Sequence, residues 1–109
     1  MKMTSFGKFI KAEREKRGWS QTELGALIKI NTPLVSRIEN DKKLMSFDKV
    51  ELLANAFEMD YQELKDLYFA DKTAKSAYEY KCSKNVFAVA EKQYEYIEAT
   101  NIVQGQLKF

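Results

Sequence analysis

The side chains between residues 32 and 43 have the greatest capacity for specific chemistry in this sequence. Arg37 can bind the O6 and N7 atoms of guanine with two hydrogen bonds, and the neighbouring hydroxyl of Ser36 can donate or accept one. Lys42 and Lys43 follow shortly afterwards, and two adjacent cations can bind the oxygens of a phosphate backbone. This combination predicts an anionic partner that also carries hydrogen-bonding groups, such as a nucleic acid.

The sequence, by contrast, has few of the residues and motifs that catalysis requires. The sequence has no histidine and a single cysteine, and it contains no glycine-rich phosphate-binding loop, nucleophile elbow or cluster of metal ligands. Its carboxylates lie among lysines at helical spacing, which is typical of a solvated helix surface. We therefore expect a protein that is not an enzyme and that holds no metal and no cofactor.

The cysteine usage and the hydropathy pattern bear on cellular location. Cys82 has no second cysteine with which to form an intramolecular disulfide, which fits a reducing compartment. No apolar run approaches the roughly 18 residues of a membrane span, and no signal-peptide pattern follows Met1. We expect a cytoplasmic protein with no membrane partner.

Charge is distributed unevenly along the chain, although the net charge is only +2. Residues 1–43 carry ten Lys or Arg and five Asp or Glu, a net charge of +5, whereas residues 44–109 carry eight and eleven, a net charge of −3. A basic first part favours an anionic partner there. On charge alone, a solvated surface of mixed charge is the better interpretation, so the case for nucleic acid depends on how the donors are arranged.

Helical periodicity dominates the sequence and predicts an all-α protein. Ser20 and Glu23 form a capping-box pattern at the start of the second helix. Thr32 is expected to cap the third helix, ahead of Pro33, and Ser46 is expected to cap the fourth. The helices are predicted over about 5–17, 21–29, 33–40, 47–57, 61–78 and 84–98. The tail 99–109 has no helical pattern and is expected to fray or to pair as a short strand.

The second and third helices are short and adjacent, and their apolar positions indicate which sides are buried. The second helix is expected to bury Leu24, Leu27 and Ile28. Gly25 among them is small enough to let the two helices cross closely. The third helix buries two apolar side chains and presents the others outward, which suits a helix lying in a DNA major groove about 12 Å wide. Its outward residues are Thr32, Pro33, Ser36 and Arg37.

The segment 6–68 resembles the lambda-repressor/Cro-like helix-turn-helix family, also called the xenobiotic-response-element family. The residues that carry the resemblance, all in register, are Ser20, Gln21, Glu23, Leu24, Ile28, Val35, Ser36, Arg37, Ile38, Glu39, Asn40 and Lys42. The resemblance implies a five-helix lambda-repressor-like bundle, here with an additional C-terminal helix. It also implies a transcription regulator that binds double-stranded DNA sequence-specifically and reads the major groove with a recognition helix at about 33–40.

The resemblance also implies a role for each matching side chain. Arg14 and Glu39 match a pair that forms an internal salt bridge. Lys29 and Asp41 stand where the family usually has glycine, so both positions are predicted to need a positive φ, which Asp tolerates better than Lys. The base-facing set is Thr32, Pro33, Ser36 and Arg37. The phosphate-binding set is Gln21, Asn40, Lys42 and Lys43.

The domain organisation predicted from these patterns has two parts. Residues 1–69 are assigned to the DNA-binding domain and residues 70–109 to a helical extension. The extension is too short for a typical ligand-sensing domain, so no small-molecule ligand is expected. Compact regulators of this kind resemble the controller proteins of restriction–modification systems, small phage repressors and stand-alone antitoxin-like regulators. The chain after residue 60 has more apolar surface than the bundle needs, which favours a homodimer on a palindromic operator. These apolar residues are Leu67, Tyr68, Phe69, Tyr78, Val86, Phe87, Val89, Tyr94 and Ile97.

Two alternatives remain open at the level of the sequence. A helix-turn-helix can serve as a protein-interaction module, as in an antitoxin-like protein whose main partner is a protein. The apolar surface after residue 60 can also be buried within a single chain if the last helix folds back.

Overall fold

The computed structural model describes residues 4–104, and side chains as far as residue 101, and the regular elements in this part are all helical. The all-α prediction is confirmed. The six helices are α1 (Phe6–Lys16), α2 (Gln21–Ile28), α3 (Thr32–Glu39), α4 (Val50–Phe57), α5 (Tyr61–Glu79) and α6 (Asn85–Gln104), with a 3₁₀ turn at Phe47–Lys49. None of the helices in residues 4–104 is long and apolar enough to span a membrane.

The helix starts follow from side chains that satisfy the free backbone N–H groups of the first turn. Ser20 and Glu23 form the predicted capping box. The N-cap of α3 is Asn31 and not Thr32, since the Asn31 carboxamide accepts from the backbone N–H of Leu34 at 2.9 Å. Thr32 is therefore the first residue of α3, and its hydroxyl is released from capping.

The predicted start of the fourth helix was also wrong in detail. The chain enters it through the 3₁₀ turn Phe47–Lys49, and regular α-helix begins only at Val50. Ser46 makes no side-chain cap, because its hydroxyl is hydrogen-bonded to the carboxylate of Asp48 instead. The hydroxyl of a serine before a helix can bond either to the helix backbone or to a nearby side chain, and here it bonds to the Asp two residues later.

The residues fall into two compact units, the first ending at Thr73 and the second beginning at Ala74. The first unit contains a continuous apolar core from α1 to α5. Leu27 is not part of this core as predicted, since it remains 47% exposed. The buried apolar residues of the unit are Phe6, Ile10, Leu24, Ile28, Val35, Ile38, Met45, Val50, Leu53, Ala54, Phe57, Leu64 and Tyr68.

The second unit consists of the end of α5, a turn, and α6. Lys81 in the turn has a φ of 58°. The expectation that the chain loses helical structure at residue 99 was wrong as far as Gln104, where α6 ends. No proline or glycine interrupts residues 85–104, so nothing stops the helix before Gly105. Residues 105–109 lie outside the described part of the chain.

Candidate nucleic-acid interface

The turn between α2 and α3 depends on two backbone features. Lys29 ends α2 with a φ of 60°, which confirms the positive φ predicted there. The backbone N–H of Ile30 then donates to the carbonyl of Gly25 at 2.9 Å. A Cβ atom on Gly25 would lie 2.5 Å from the carbonyl oxygen of Ile30, so only glycine allows this turn to pack against α2.

The third helix separates its buried and outward sides as predicted. Val35 and Ile38 lie in the core, which fixes the rotation of α3 about its axis. The predicted base-facing set lies on the other side: Pro33 and Arg37 are exposed, and Thr32 and Ser36 are partly exposed. Among the described residues, the guanidinium of Arg37 has no hydrogen-bond or ion-pair partner.

Thr22 is a residue of this surface that sequence reasoning missed. Its hydroxyl lies 3.0 Å from the hydroxyl of Thr32, so it joins the first turn of α2 to the first turn of α3. A hydroxyl residue directly after Gln21 was the available signal, since a first helical turn presents its side chains and free N–H groups together.

A buried polar network ties α1, α2 and α3 together. Arg14 and Glu39 are both buried, and the guanidinium donates to the carboxylate twice, at 2.6 and 3.0 Å. Arg14 also donates to the carbonyl of Trp19 at 2.7 Å. The hydrogen bond to Glu39 raises the pKa of Arg14, partly opposed by burial. The structure thus brings together the two residues that the resemblance paired.

The same carboxylate holds Gln21 in place. The side-chain amide of Gln21 donates to Glu39 at 3.0 Å, so the first residue of α2 is fixed against the end of α3. One amide hydrogen of Gln21 is used in this bond and one remains for an external acceptor. A single buried carboxylate therefore positions both Arg14 and Gln21.

The end of α3 differs from expectation at Asn40. Its side-chain amide donates to the carbonyl of Ser36 at 2.8 Å, so it closes its own helix instead of extending away from it. Amide side chains at helix ends commonly bond nearby backbone carbonyls in this way. Lys42 and Lys43 are exposed beyond it, and the backbone N–H of Lys42 donates to the carbonyl of Arg37 at 2.8 Å.

Asp41 has the second predicted positive φ, at 59°. The Ser5 hydroxyl donates to its carboxylate at 2.8 Å, and the other carboxylate oxygen would lie 2.9 Å from a Cβ on Gly7. The carboxylate therefore lies at the N-terminus of α1, where the helix dipole favours a negative charge. Its negative charge is compensated there, although the residue stands between Arg37 and Lys42 in the sequence.

A helix-turn-helix family model matches residues 10–64 of the chain. The crystal structure of the P22 c2 repressor protein in complex with synthetic operator 9T in the presence of Tl+ is similar in fold, with a TM-score of 0.52 and 21% sequence identity. The match covers 57% of this chain and 94% of the repressor chain. No curated protein gives a significant match to the sequence.

Proposed function

Because this chain belongs to the helix-turn-helix family, we propose that it is a DNA-binding transcription regulator that reads the major groove with α3. The observation that carries this proposal is the outward side of α3, where Arg37 is exposed and without a partner while the opposite side is buried. A helix presented in this way fits a groove about 12 Å wide. The operator bound by the P22 c2 repressor, a protein of similar fold, supports DNA as the partner.

Base recognition is assigned to the outward residues of α3. Arg37 reads guanine through two hydrogen bonds, since its fork of N–H groups matches the O6 and N7 acceptors. Ser36 adds a hydroxyl that donates or accepts. Pro33 touches a thymine methyl group, and Thr32 contacts DNA at the entry to the helix, freed from capping by Asn31.

Phosphate contacts flank this reading face. Gln21 offers its second amide hydrogen, and the first turn of α2 offers free backbone N–H groups to the same phosphate. Lys42 and Lys43 bind the backbone at the other end of α3 as exposed cations. Asn40 contributes mainly by closing α3, since its side-chain amide donates to the carbonyl of Ser36 at 2.8 Å and to the Ser36 hydroxyl at 3.4 Å.

The regulator acts as a homodimer on a palindromic operator, joined through residues after about 60. One recognition helix reads only a few base pairs, which is too few to select one operator from a genome. Two copies related by a two-fold axis read half-sites about 34 Å apart on one side of the duplex. A self-complementary surface is then required, and the apolar residues exposed after residue 60 provide one.

The test begins by selecting bound sequences from a random duplex pool with the full chain. On the selected operator, Arg37→Ala should lose discrimination at one base pair per half-site, by about 1–3 kcal/mol. Arg37→Lys is the matched control, because it keeps the charge but loses the planar fork. It should retain non-specific affinity and lose the same discrimination.

Two outcomes would contradict the proposal at different levels. If both Arg37 variants keep the wild-type preference across operator variants, Arg37 does not read a base. If no sequence is enriched and a mobility shift with duplex DNA shows no salt-dependent binding, DNA is not the partner and the protein-interaction alternative is preferred.

A further inference from the structure

The second unit has apolar surface that its own residues do not cover. Within residues 74–101, none of the described side chains is buried. Two helices without a buried core are marginal in water, since packing supplies most of the stability of helices in proteins. A further element is therefore needed to cover this hairpin. Its exposed large apolar side chains are Tyr78, Tyr80, Phe87, Val89, Tyr94 and Tyr96.

The helix α6 has an apolar side that is wider than its contact with α5. At about 100° per residue, Val86 and Ile97 fall in the middle of the apolar side, and they are among its few half-buried residues. Phe87, Ala90 and Tyr94 form one flank of this side and are exposed. We call these three residues the Phe87 flank. It is continuous along two turns, and all three of its residues are exposed in the described chain.

A cavity of about 410 Å³ opens beside the Phe87 flank. Ala74, Ala77 and Tyr78 form its wall on α5, Phe87 forms the wall on α6, and the turn at residues 82–84 closes one end. The lining is mainly apolar, and the small alanines leave space for one large side chain. A cavity of this size and chemistry suits an aromatic ring from another molecule.

Charges are separated along the same hairpin. Around the turn, Lys81 and Lys84 outnumber Glu79, whereas in the later turns of α6 Glu91, Glu95 and Glu98 outnumber Lys92. Residues 74–101 hold four Lys and four Glu, so two copies have no net repulsion. Lys84 and Glu98 form no ion pair within the described chain. An antiparallel pair of α6 helices brings the basic end of one beside the acidic end of the other.

We propose that residues 74–101 dock on a second copy of themselves, with the two α6 helices antiparallel and crossing at Ala90. The proposal rests on the homodimer of the proposed function. It specifies which residues form the dimer interface and how the two α6 helices are aligned. Phe87 of each copy packs beside Tyr94 of the second copy, which enters the cavity. Lys84 of each copy faces Glu98 of the second. The small Ala90 side chains permit close approach, and the two Glu91 carboxylates remain solvated at the rim.

The first test measures the dimer dissociation constant of the full chain by sedimentation equilibrium. Phe87→Ala and Tyr94→Ala should each raise it by about thirtyfold or more, as expected for a central aromatic contact. Tyr96→Ala is the matched control, because Tyr96 is more exposed, at 70% against 64% for Tyr94, and lies on the opposite flank. It should change the constant by less than about threefold. Circular dichroism confirms that each variant keeps its helix content.

The second test reverses charges to examine the register. Lys84→Glu and Glu98→Lys should each weaken the dimer by about tenfold, because each exposed pair turns repulsive and occurs twice by symmetry. The double variant should return to within about threefold of wild type. Lys92→Glu, on the side of α6 away from the Phe87 flank, serves as the control and should leave the dimer unchanged.

Each contrary result overturns a definite part of the proposal. A wild-type chain that is monomeric at micromolar concentration overturns docking through this flank. A Phe87→Ala variant with the dimer dissociation constant of wild type does the same. A double charge variant as weak as the single ones overturns the antiparallel register. Binding to a single half-site duplex, measured on the same variants, separates this proposal from the proposed function. If half-site binding persists while dimerisation fails, the docking and the homodimer are wrong and DNA binding stands; if the dimer forms and no DNA binds, only the DNA-binding function is wrong.

Discussion

The two units of this chain use similar residue types in opposite ways. In the first unit, Phe6 meets Tyr68 edge to face at 5.5 Å and Trp19 stacks on Phe57 at 6.1 Å, so its aromatic rings build an internal core. In the second unit, large rings remain exposed, with Tyr78 at 81%. Aromatic content alone therefore does not indicate where the rings are buried.

What distinguishes the units is how many neighbours each helix has. In the first unit, α2 packs against both α3 and α4, and α3 also packs against α1, so apolar residues of these helices are enclosed within the chain. The α6 helix has only one neighbour within its own unit, and its apolar side is wider than that neighbour covers. When the apolar side of a helix is wider than the surface that its own chain covers, the uncovered part indicates a binding surface for another molecule.

The largest expected effect tests the buried network of the first unit. Arg14→Ala leaves the Glu39 carboxylate buried with only Gln21 as a partner, and should lower the free energy of unfolding by about 3–5 kcal/mol. Urea denaturation followed by the fluorescence of Trp19 measures it. Lys16→Ala on the same helix is the control: Lys16 is exposed and Glu13 keeps its pair with Arg17, so the change should stay below about 1 kcal/mol. An unchanged midpoint for Arg14→Ala would show that the pair does not stabilise the core.

The next prediction concerns removal of the second unit. A chain ending at Thr73 keeps every described buried residue, so its unfolding midpoint should stay close to that of the full chain. Its affinity for a palindromic operator should fall by about a hundredfold, because the two half-sites are no longer bound together. The full chain with Phe87→Ala and Tyr94→Ala is the matched control and should lose affinity similarly. A truncated chain that dimerises and binds like the full chain would remove the second unit from dimerisation.

The sequence predicted several local features of the first unit correctly, because its signals are local and repeated. The capping box at Ser20, the apolar spacing in α4, and glycine replaced at Lys29 and Asp41 each predicted a feature that the structure contains. The register of the whole motif agreed with these local signals. A segment is predicted well from its sequence when its local conformational preferences agree with the global fold.

The sequence-based predictions were wrong where two neighbouring side chains can make the same hydrogen bond, or where contacts between distant residues determine the structure. Asn31 and Thr32 can both cap α3; Asn31 does so, and the hydroxyl of Thr32 lies 3.0 Å from that of Thr22 instead. The Ser5 bond to Asp41 joins residues far apart in sequence, which periodicity does not reveal. Leu27 is apolar on an amphipathic helix but lies at the edge of its apolar side, so its exposure depends on neighbouring elements.

A smaller effect tests whether DNA binding resides in the charges of the first unit alone. Replacing Lys42 and Lys43 together by Ala should weaken binding on all sequences and flatten the slope of log affinity against log salt by about one unit per lost phosphate contact. Replacing Lys81 and Lys92 by Ala removes the same charge from the second unit and should leave the slope on a half-site duplex unchanged. Equal slopes for both variants and wild type would show that Lys42 and Lys43 do not touch the backbone.

The smallest effect compares two lysines with the same backbone strain. Lys29 in the first unit and Lys81 in the second have φ values of 60° and 58°, a left-handed conformation that costs a side-chain-bearing residue about 1–2 kcal/mol. Glycine removes this cost but loses more entropy on folding, so Lys29→Gly should raise the free energy of unfolding by about 0.5–1 kcal/mol. Asp41→Gly should gain less, because it also loses the bond from Ser5.

The outcome for Lys81→Gly then distinguishes the two units. Trp19 lies in the first unit, so its fluorescence reports the unfolding of that core. If the second unit contributes no buried side chain to that core, Lys81→Gly should leave the Trp19 transition of the monomer unchanged, while Lys29→Gly shifts it to higher urea. Circular dichroism at low protein concentration supplies the complementary signal for the hairpin helices. Equal shifts of the Trp19 transition for the two glycine variants would show that the hairpin unfolds together with the first unit, and the contrast between the units would then be one of exposure and not of stability.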